Sequence, residues 1–439
     1  MRQVLAALMI VCLLALTPSA HAVNVEKVVS PGGISAWLVR DHHNPIINMR
    51  FAFRGGSALD PVGKGGLANL VSALLDEGAG NLDSTTFRQT LEDKAIRLRF
   101  DTGKDTFGGQ LQTLTRNRDE AFRLFKLAIT KPRFDVESVA RIRAQILVEI
   151  KQEKEDLNAV AGRALFEGLF PSHPYGRPSD GTEETVKAIS VDDMKAFVRQ
   201  RLGRDNLIIG AVGDVTSDVL GKLLDETFGS LPAKAMPWKL ASTEPLFTGK
   251  TTVIDKNIPQ STIVFADAGF KRGHPDFYAA FVMNHILGSG SFTSRLYAEV
   301  REKRGLAYSV HSGLYPFEAS ALTLGGAGTA NARVSETLKV IADQWRLMAE
   351  KGVGDKELVD AKRYLTGAFP LRFSSSGRIA RMLVGMQVSN LGIDYLQKRN
   401  SYIEAVTRQD IHRVAKKLLD AKRLTTIVVG QPKGVESTY

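Results

Sequence analysis

Apolar and polar residues alternate through "GISAWLVR" and "IINMRFAFRGG" near the start of the chain, and again through "TTVIDK" and "STIVFADAGF" after its midpoint. That period of two predicts β-strands. After each opening pair the spacing turns helical, then returns to alternation in "IRLRFDTGK" with "FGGQLQTLT" and in "AYSVHSGLY" with "ASALTLGGAG". Long amphipathic runs follow, "SVARIRAQILVEIKQEKED" in the first case and "NARVSETLKVIADQWRLMAEK" in the second. Strands grouped with strands and helices with helices predict an α+β fold, a mainly antiparallel sheet with helices packed on one face.

The pattern occurs twice. Residues 191–214, "VDDMKAFVRQRLGRDNLIIGAVGD", align without a gap on residues 408–431, "RQDIHRVAKKLLDAKRLTTIVVGQ", pairing Asp193 with Asp410, Leu207 with Leu424 and Gly213 with Gly430. Two homologous domains are therefore expected, each of ordinary size, over 23–232 and 249–439. Residues 233–248 join them, rich in Pro and small polar residues and without periodicity.

The first 22 residues obey a different pattern. "MRQVLAALMIVCLLALTPSAHA" has one Arg, an apolar run too short to span a bilayer comfortably, a proline and an Ala-His-Ala end. It predicts a secretory signal peptide cleaved after Ala22, hence a periplasmic protein. Cys12 lies inside the run behind Met9, Ile10 and Val11, where a lipoprotein site would need a small residue. Cleavage removes the only cysteine, which excludes disulfides, thiolate nucleophiles and cysteine-based zinc sites. It also removes Arg2, so 57 basic residues face 47 acidic ones, a net of +10. No basic run is interleaved with aromatics, so nucleic acid is not an expected partner. No further segment is apolar enough to be transmembrane.

Candidate chemistry is sparse. There is no Gly-x-Ser-x-Gly elbow, phosphate loop or dinucleotide fingerprint. "GSGSFTSRL" from Gly288 reads as a flexible loop. His42 and His43 are adjacent in a loop and point apart, while His173, His274, His285, His311 and His412 lack ligand spacing. "REKRGLAYSV", Arg301 to Val310, packs three cations against a helix end, with Gly305 placed for a left-handed stop.

"GGSALDPVGKGGLANLVSALLDEGAG", from Gly55, resembles the pitrilysin/insulinase family of zinc peptidases, which includes the mitochondrial processing peptidase. In that family two His four apart on one helix bind zinc, with the Glu of His-x-x-Glu-His activating water and a Glu some 75 residues later completing the site. The matching positions here hold Asn69, Ser72 and Ala73, and only Glu149 survives at the distant position. The resemblance therefore implies no metal and no cofactor bound by this chain. "SRLYAEVREKRGLAYSV" is similar to the family region where an Arg and a Tyr, seven apart, contact substrate, which implies substrate-binding roles for Arg301 and Tyr308. "HPYGRPSDGTEETVKAIS" and "NLIIGAVGDV" follow the family pattern too.

Metal residues lost and substrate residues kept imply a non-catalytic subunit. Its partner would be a homologous chain bearing His-x-x-Glu-His and the zinc, the two forming a heterodimer that acts on short or unfolded peptides. The alternative is a peptide-binding or assembly protein, self-associated and without proteolysis. An autonomous metallopeptidase is disfavoured by the poor ligand inventory.

Overall fold

A computed structural model describes residues 24–438. The segment read as a signal peptide, residues 1–22 with Cys12, lies outside the described residues. In chain order the first half comprises β1 (Glu26–Val29), β2 (Ser35–Arg40), β3 (Ile46–Arg54), α1 (Leu67–Ser72), α2 (Ser84–Asp93), β4 (Arg97–Thr102), β5 (Thr106–Leu114), α3 (Arg118–Thr130), α4 (Val136–Glu153), α5 (Leu157–Leu169), α6 (Glu183–Ala188), α7 (Val191–Arg201), β6 (Leu207–Gly213) and α8 (Ser217–Phe228). The second comprises β7 (Thr251–Asp255), β8 (Gln260–Ala268), α9 (Phe277–Asn284), β9 (Ala307–Pro316), β10 (Ala321–Ala330), α10 (Val334–Lys351), α11 (Asp355–Gly367), α12 (Ser376–Val388), α13 (Tyr395–Glu404), α14 (Arg408–Leu418) and β11 (Thr425–Gly430). Each strand anticipated from alternation is present. β1, four residues long, carried too little alternation to be recognised.

The two sheets share one plan. The first runs β1-β2-β6-β3-β5-β4 and the second β7-β11-β8-β10-β9. In both, the last strand of the half inserts between two opening strands, parallel to the first (β2 with β6, β7 with β11) and antiparallel to the second (β3 with β6, β8 with β11). The repeat seen in sequence is thus a helix feeding that strand. Its start is fixed alike in both copies: Ser190 caps the amide of Asp193 and Thr407 that of Asp410, with the aspartate returning a bond to the cap residue.

One face of each sheet is covered by its own half's helices. Phe51, Phe53, Phe107, Phe122, Phe125 and Phe228 fill the first core, and Phe265, Trp345, Met348 and Val428 the second. The other faces are covered reciprocally. Helix α12, from the second half, packs on β6 and β3, with Ile379, Ala380 and Leu383 against Val39 and Val212. Helix α5, from the first half, packs on β8 and β11, with Ala161, Leu165 and Leu169 against Ala266, Ile427 and Val429. Each half therefore lends a helix to the other.

Polar bonds follow the same exchange. Arg54 donates to the carbonyls of Gln387 and Val388, and Gln387 Nε2 donates to Ile209 O. Asp105 receives Tyr175 Oη and the amide of Glu318, while Tyr175 Oη accepts from Ala319 N. Residues 232–250 run between the halves without helix or strand.

Candidate functional site

Helix α1 begins where Asp60 accepts bonds from the amides of Gly66 and Ala68 at 2.9 and 3.1 Å, which satisfies donors that a helix start leaves free. The positions singled out in sequence lie on it. Asn69 and Ala73 are half-buried and Ser72 is buried. The Ser72 hydroxyl donates to Asn69 O at 2.7 Å, and Ala73 N donates to the same carbonyl. An amide, a hydroxyl turned onto its own helix and a methyl group make no zinc site. Glu149 is on α4, which packs against α1, and its side chain is exposed. One exposed carboxylate adds too little to complete a donor set.

The end of this helix pair holds charged residues that sequence spacing did not single out. Glu77 is buried and takes Arg141 of α4 at 2.5 Å and Arg88 of α2 at 3.5 Å. Asp76 lies 3.5 Å from Arg99, and burial pushes its carboxyl up to about 6. The Glu77–Arg141 pair thus ties the turn after α1 to α4. Charges this far apart in sequence give no periodic signal, so only the fold reveals them. The histidines stay apart: His42 bonds Asp214 and His43 bonds Asp41, each at 2.7 Å.

Arg301 and Tyr308 are brought together. Residues Tyr297–Glu302 form a π-helical turn, a form that recurs at functional sites. Gly305 then reverses the chain at φ 57°, in the left-handed region, with its amide on Arg301 O. Strand β9 follows and pairs with β10 in a broken register, Gly328 opposite Ser309 but Thr329 opposite Ala307. Tyr308 is the extra residue of this bulge. Its carbonyl has left the ladder and accepts from Arg301 Nη1 at 2.8 Å. Tyr308 as a whole is 81% exposed.

The guanidinium of Arg301 stacks between two rings, 5.1 Å from the centroid of Tyr297 and 4.6 Å from that of Tyr308. Tyr297 in turn meets the exposed ring of Phe292 edge-on. Of the three cations in "REKRG", Lys303 and Arg304 both pair with Glu299 at 2.6 Å. Arg301 has no carboxylate among the described residues. It spends one of five N–H donors on Tyr308 and keeps its charge. Because β9 is the outer strand of its sheet, the pair sits at an open edge. The stretch read as a flexible loop is built otherwise: His285–Ser289 is a second π-helical turn and Ser291–Thr293 a 3-10 turn, which seat Phe292 beside Tyr297.

A protein-family model described as the peptidase M16 inactive domain matches residues 188–365. A relative from Helicobacter pylori, named non-peptidase homolog YmxG, is 27% identical over 398 residues, which are 90% of this chain and 91% of that protein. The probable mitochondrial-processing peptidase subunit beta of Schizosaccharomyces pombe is 23% identical over 418 residues, 90% of each chain. A crystal structure of a peptidase M16 inactive domain from Pseudomonas fluorescens matches with a TM-score of 0.87 at 28% identity, covering 94% of this chain and 99% of that one.

Proposed function

We propose that this chain, similar to the peptidase M16 inactive domain over 188–365 and to inactive relatives over most of its length, is the non-catalytic, substrate-gripping subunit of a two-chain bacterial zinc peptidase. One contrast carries the reading. The positions of the metal motif hold Asn69, Ser72 and Ala73, whereas Arg301 stands charged and free of carboxylates beside an exposed Tyr308. The neighbours Lys303 and Arg304 are instead neutralised by Glu299. A cation held in place by a carbonyl and two rings is positioned for something outside the chain.

In this reading the guanidinium and the phenol donate to carbonyl oxygens of an extended peptide, and the bulge at Tyr308 sets their spacing. Aimed at the carbonyl under attack, the same donors would stabilise the charge that develops there. The partner supplies the zinc and the general base through an intact His-x-x-Glu-His. In this reading the apolar leader of residues 1–22 would direct the chain to the periplasm, where it would meet its partner. The beta-subunit name of the fission-yeast relative supports a family habit of working as subunits.

The test is a gentle pull-down of the tagged chain from its own periplasm, with mass spectrometry of what accompanies it. A near-equimolar relative carrying His-x-x-Glu-His is the expected companion. Recovery of this chain alone would replace the split-peptidase reading with that of a self-associated peptide-binding protein.

A further inference from the structure

A groove of about 600 Å³ opens on the second half, well away from β9 in sequence. Its walls come from the end of α11 (Tyr364, Leu365), the turn Phe369–Phe373 and the outward side of α12 (Arg378, Arg381, Met382), with Arg399 of α13 also lining it. No acidic residue lines it. Four arginines do, Arg372, Arg378, Arg381 and Arg399, and none of them reaches a carboxylate among the described residues.

Arg399 is the telling member. It is only 6% exposed, and its guanidinium lies 4.0 Å from the centroid of the Phe369 ring. Nη1 donates to Leu365 O and Asn400 Oδ1 at 3.1 and 2.9 Å, which settles one nitrogen and leaves the charge uncompensated. Burial disfavours its charged form, and the neighbouring Arg372 adds repulsion. Burying a charge without a counter-charge is costly, and a second cation raises that cost. Two buried ions of this chain find their opposites, Glu77 in Arg141 and Asp267 in Arg423, whereas Asp60 is held by backbone amides alone. At Arg399 neither an opposite charge nor a set of amides is present, and an anion from outside would supply the missing charge.

The rim narrows the class of anion. Leu371 is 73% exposed and Tyr364 is also exposed, beside the cations. Apolar side chains standing next to arginines on a protruding turn suit a ligand with a charged head and an apolar body. No strand edge borders the groove, so an extended acidic peptide would find no backbone ladder there. We propose that this groove binds the phosphate head group of an anionic phospholipid, Arg399 and Arg372 taking the phosphate while Leu371 and Tyr364 enter the acyl boundary. The chain would then work attached to a membrane surface by this face. The inference stands apart from the peptide-gripping role, since it uses none of the residues around Tyr308.

The experiment is vesicle co-sedimentation of the chain from residue 23 onward, using phosphatidylcholine with and without phosphatidylglycerol. Binding is expected only with phosphatidylglycerol. Arg372→Gln with Arg381→Gln should lower it about tenfold or more, and Leu371→Ser should weaken it with no change of charge. Lys222→Gln with Lys234→Gln, exposed residues of the first half, changes net charge equally and should leave most binding intact. Circular dichroism of each variant checks that it is folded. Absence of binding, or equal loss in the two charge pairs, would overturn the proposal. A rise in melting temperature with inorganic phosphate but no vesicle binding would also overturn it, in favour of a soluble anion.

Discussion

Arg301, Lys303 and Arg304 lie within four residues and meet different fates. Two are neutralised by Glu299, and the third is stacked between rings at a bulge. In a reconstituted pair with a catalytic partner, Arg301→Ala or Tyr308→Phe should cut peptide turnover about tenfold or more, as loss of an oxyanion-type donor does. Lys303→Ala should leave turnover near its starting value. Equal losses in all three would reduce Arg301 to a contributor of net charge. The spacing of Arg and Tyr was legible in the sequence. The assignment of Glu299 to its neighbours was half-legible, since Glu299 and Lys303 stand four apart. The bulge that turns Tyr308 outward was not, because register depends on a partner strand some twenty residues away. Asp76 offers a second test at this scale. Burial raises its carboxyl to about 6, so the folded state holds the proton more tightly than the unfolded chain does. Stability from this group is full below about pH 4 and falls as pH rises through about 6. Asp76→Asn should remove that slope, leaving the variant about 1–3 kcal/mol better placed relative to the parent at pH 7 than at pH 4. Urea unfolding across that range measures it, and parallel curves would mean that Asp76 is solvated.

The elements were largely legible, and their neighbours were not. Alternation marked the sheet strands and amphipathic spacing marked the long helices, because both are local consequences of one buried face. Helix α12 shows where that logic ends. Its Ile379, Ala380 and Leu383 bury as any amphipathic stripe would, yet they bury on the sheet of the other half. The close approach rests on Gly210 of β6. A Cβ there would come within 2.7 Å of Leu383 Cβ and 2.8 Å of Ala380 O. The equivalent position in the second sheet by the sequence repeat is Ile427, which α5 accommodates with the smaller Ala161 and with Leu165. Gly210→Val should therefore destabilise the chain by about 1–3 kcal/mol through overpacking, with faster amide exchange concentrated in α12. Unchanged exchange in α12 would show that the helix can shift without cost. The packing of α1 on α4 belongs to this scale as well, with Glu77, just beyond α1, paired to Arg141 of α4.

At the scale of the whole molecule, the repeat predicts two homologous domains, and the exchanged helices make each depend on the other. Without α12, the first sheet would present Val39, Ala52, Ile208 and Val212 to water. Without α5, the second would present Ala266, Ile427 and Val429. Apolar faces of that extent seek cover. A fragment of residues 23–232 made alone should therefore bind an apolar dye and melt without a sharp transition, and so should 249–439. Mixing the two should restore structure, since α5 and α12 would regain their sheets. The intact chain should melt in one calorimetric transition despite its two sheets. Two well-separated transitions, or two fragments that each melt sharply on their own, would show that the exchange decorates two self-sufficient domains. The outcome bears on the proposed function, because holding Arg301 and Tyr308 in place for a partner's substrate would gain from halves that cannot loosen independently.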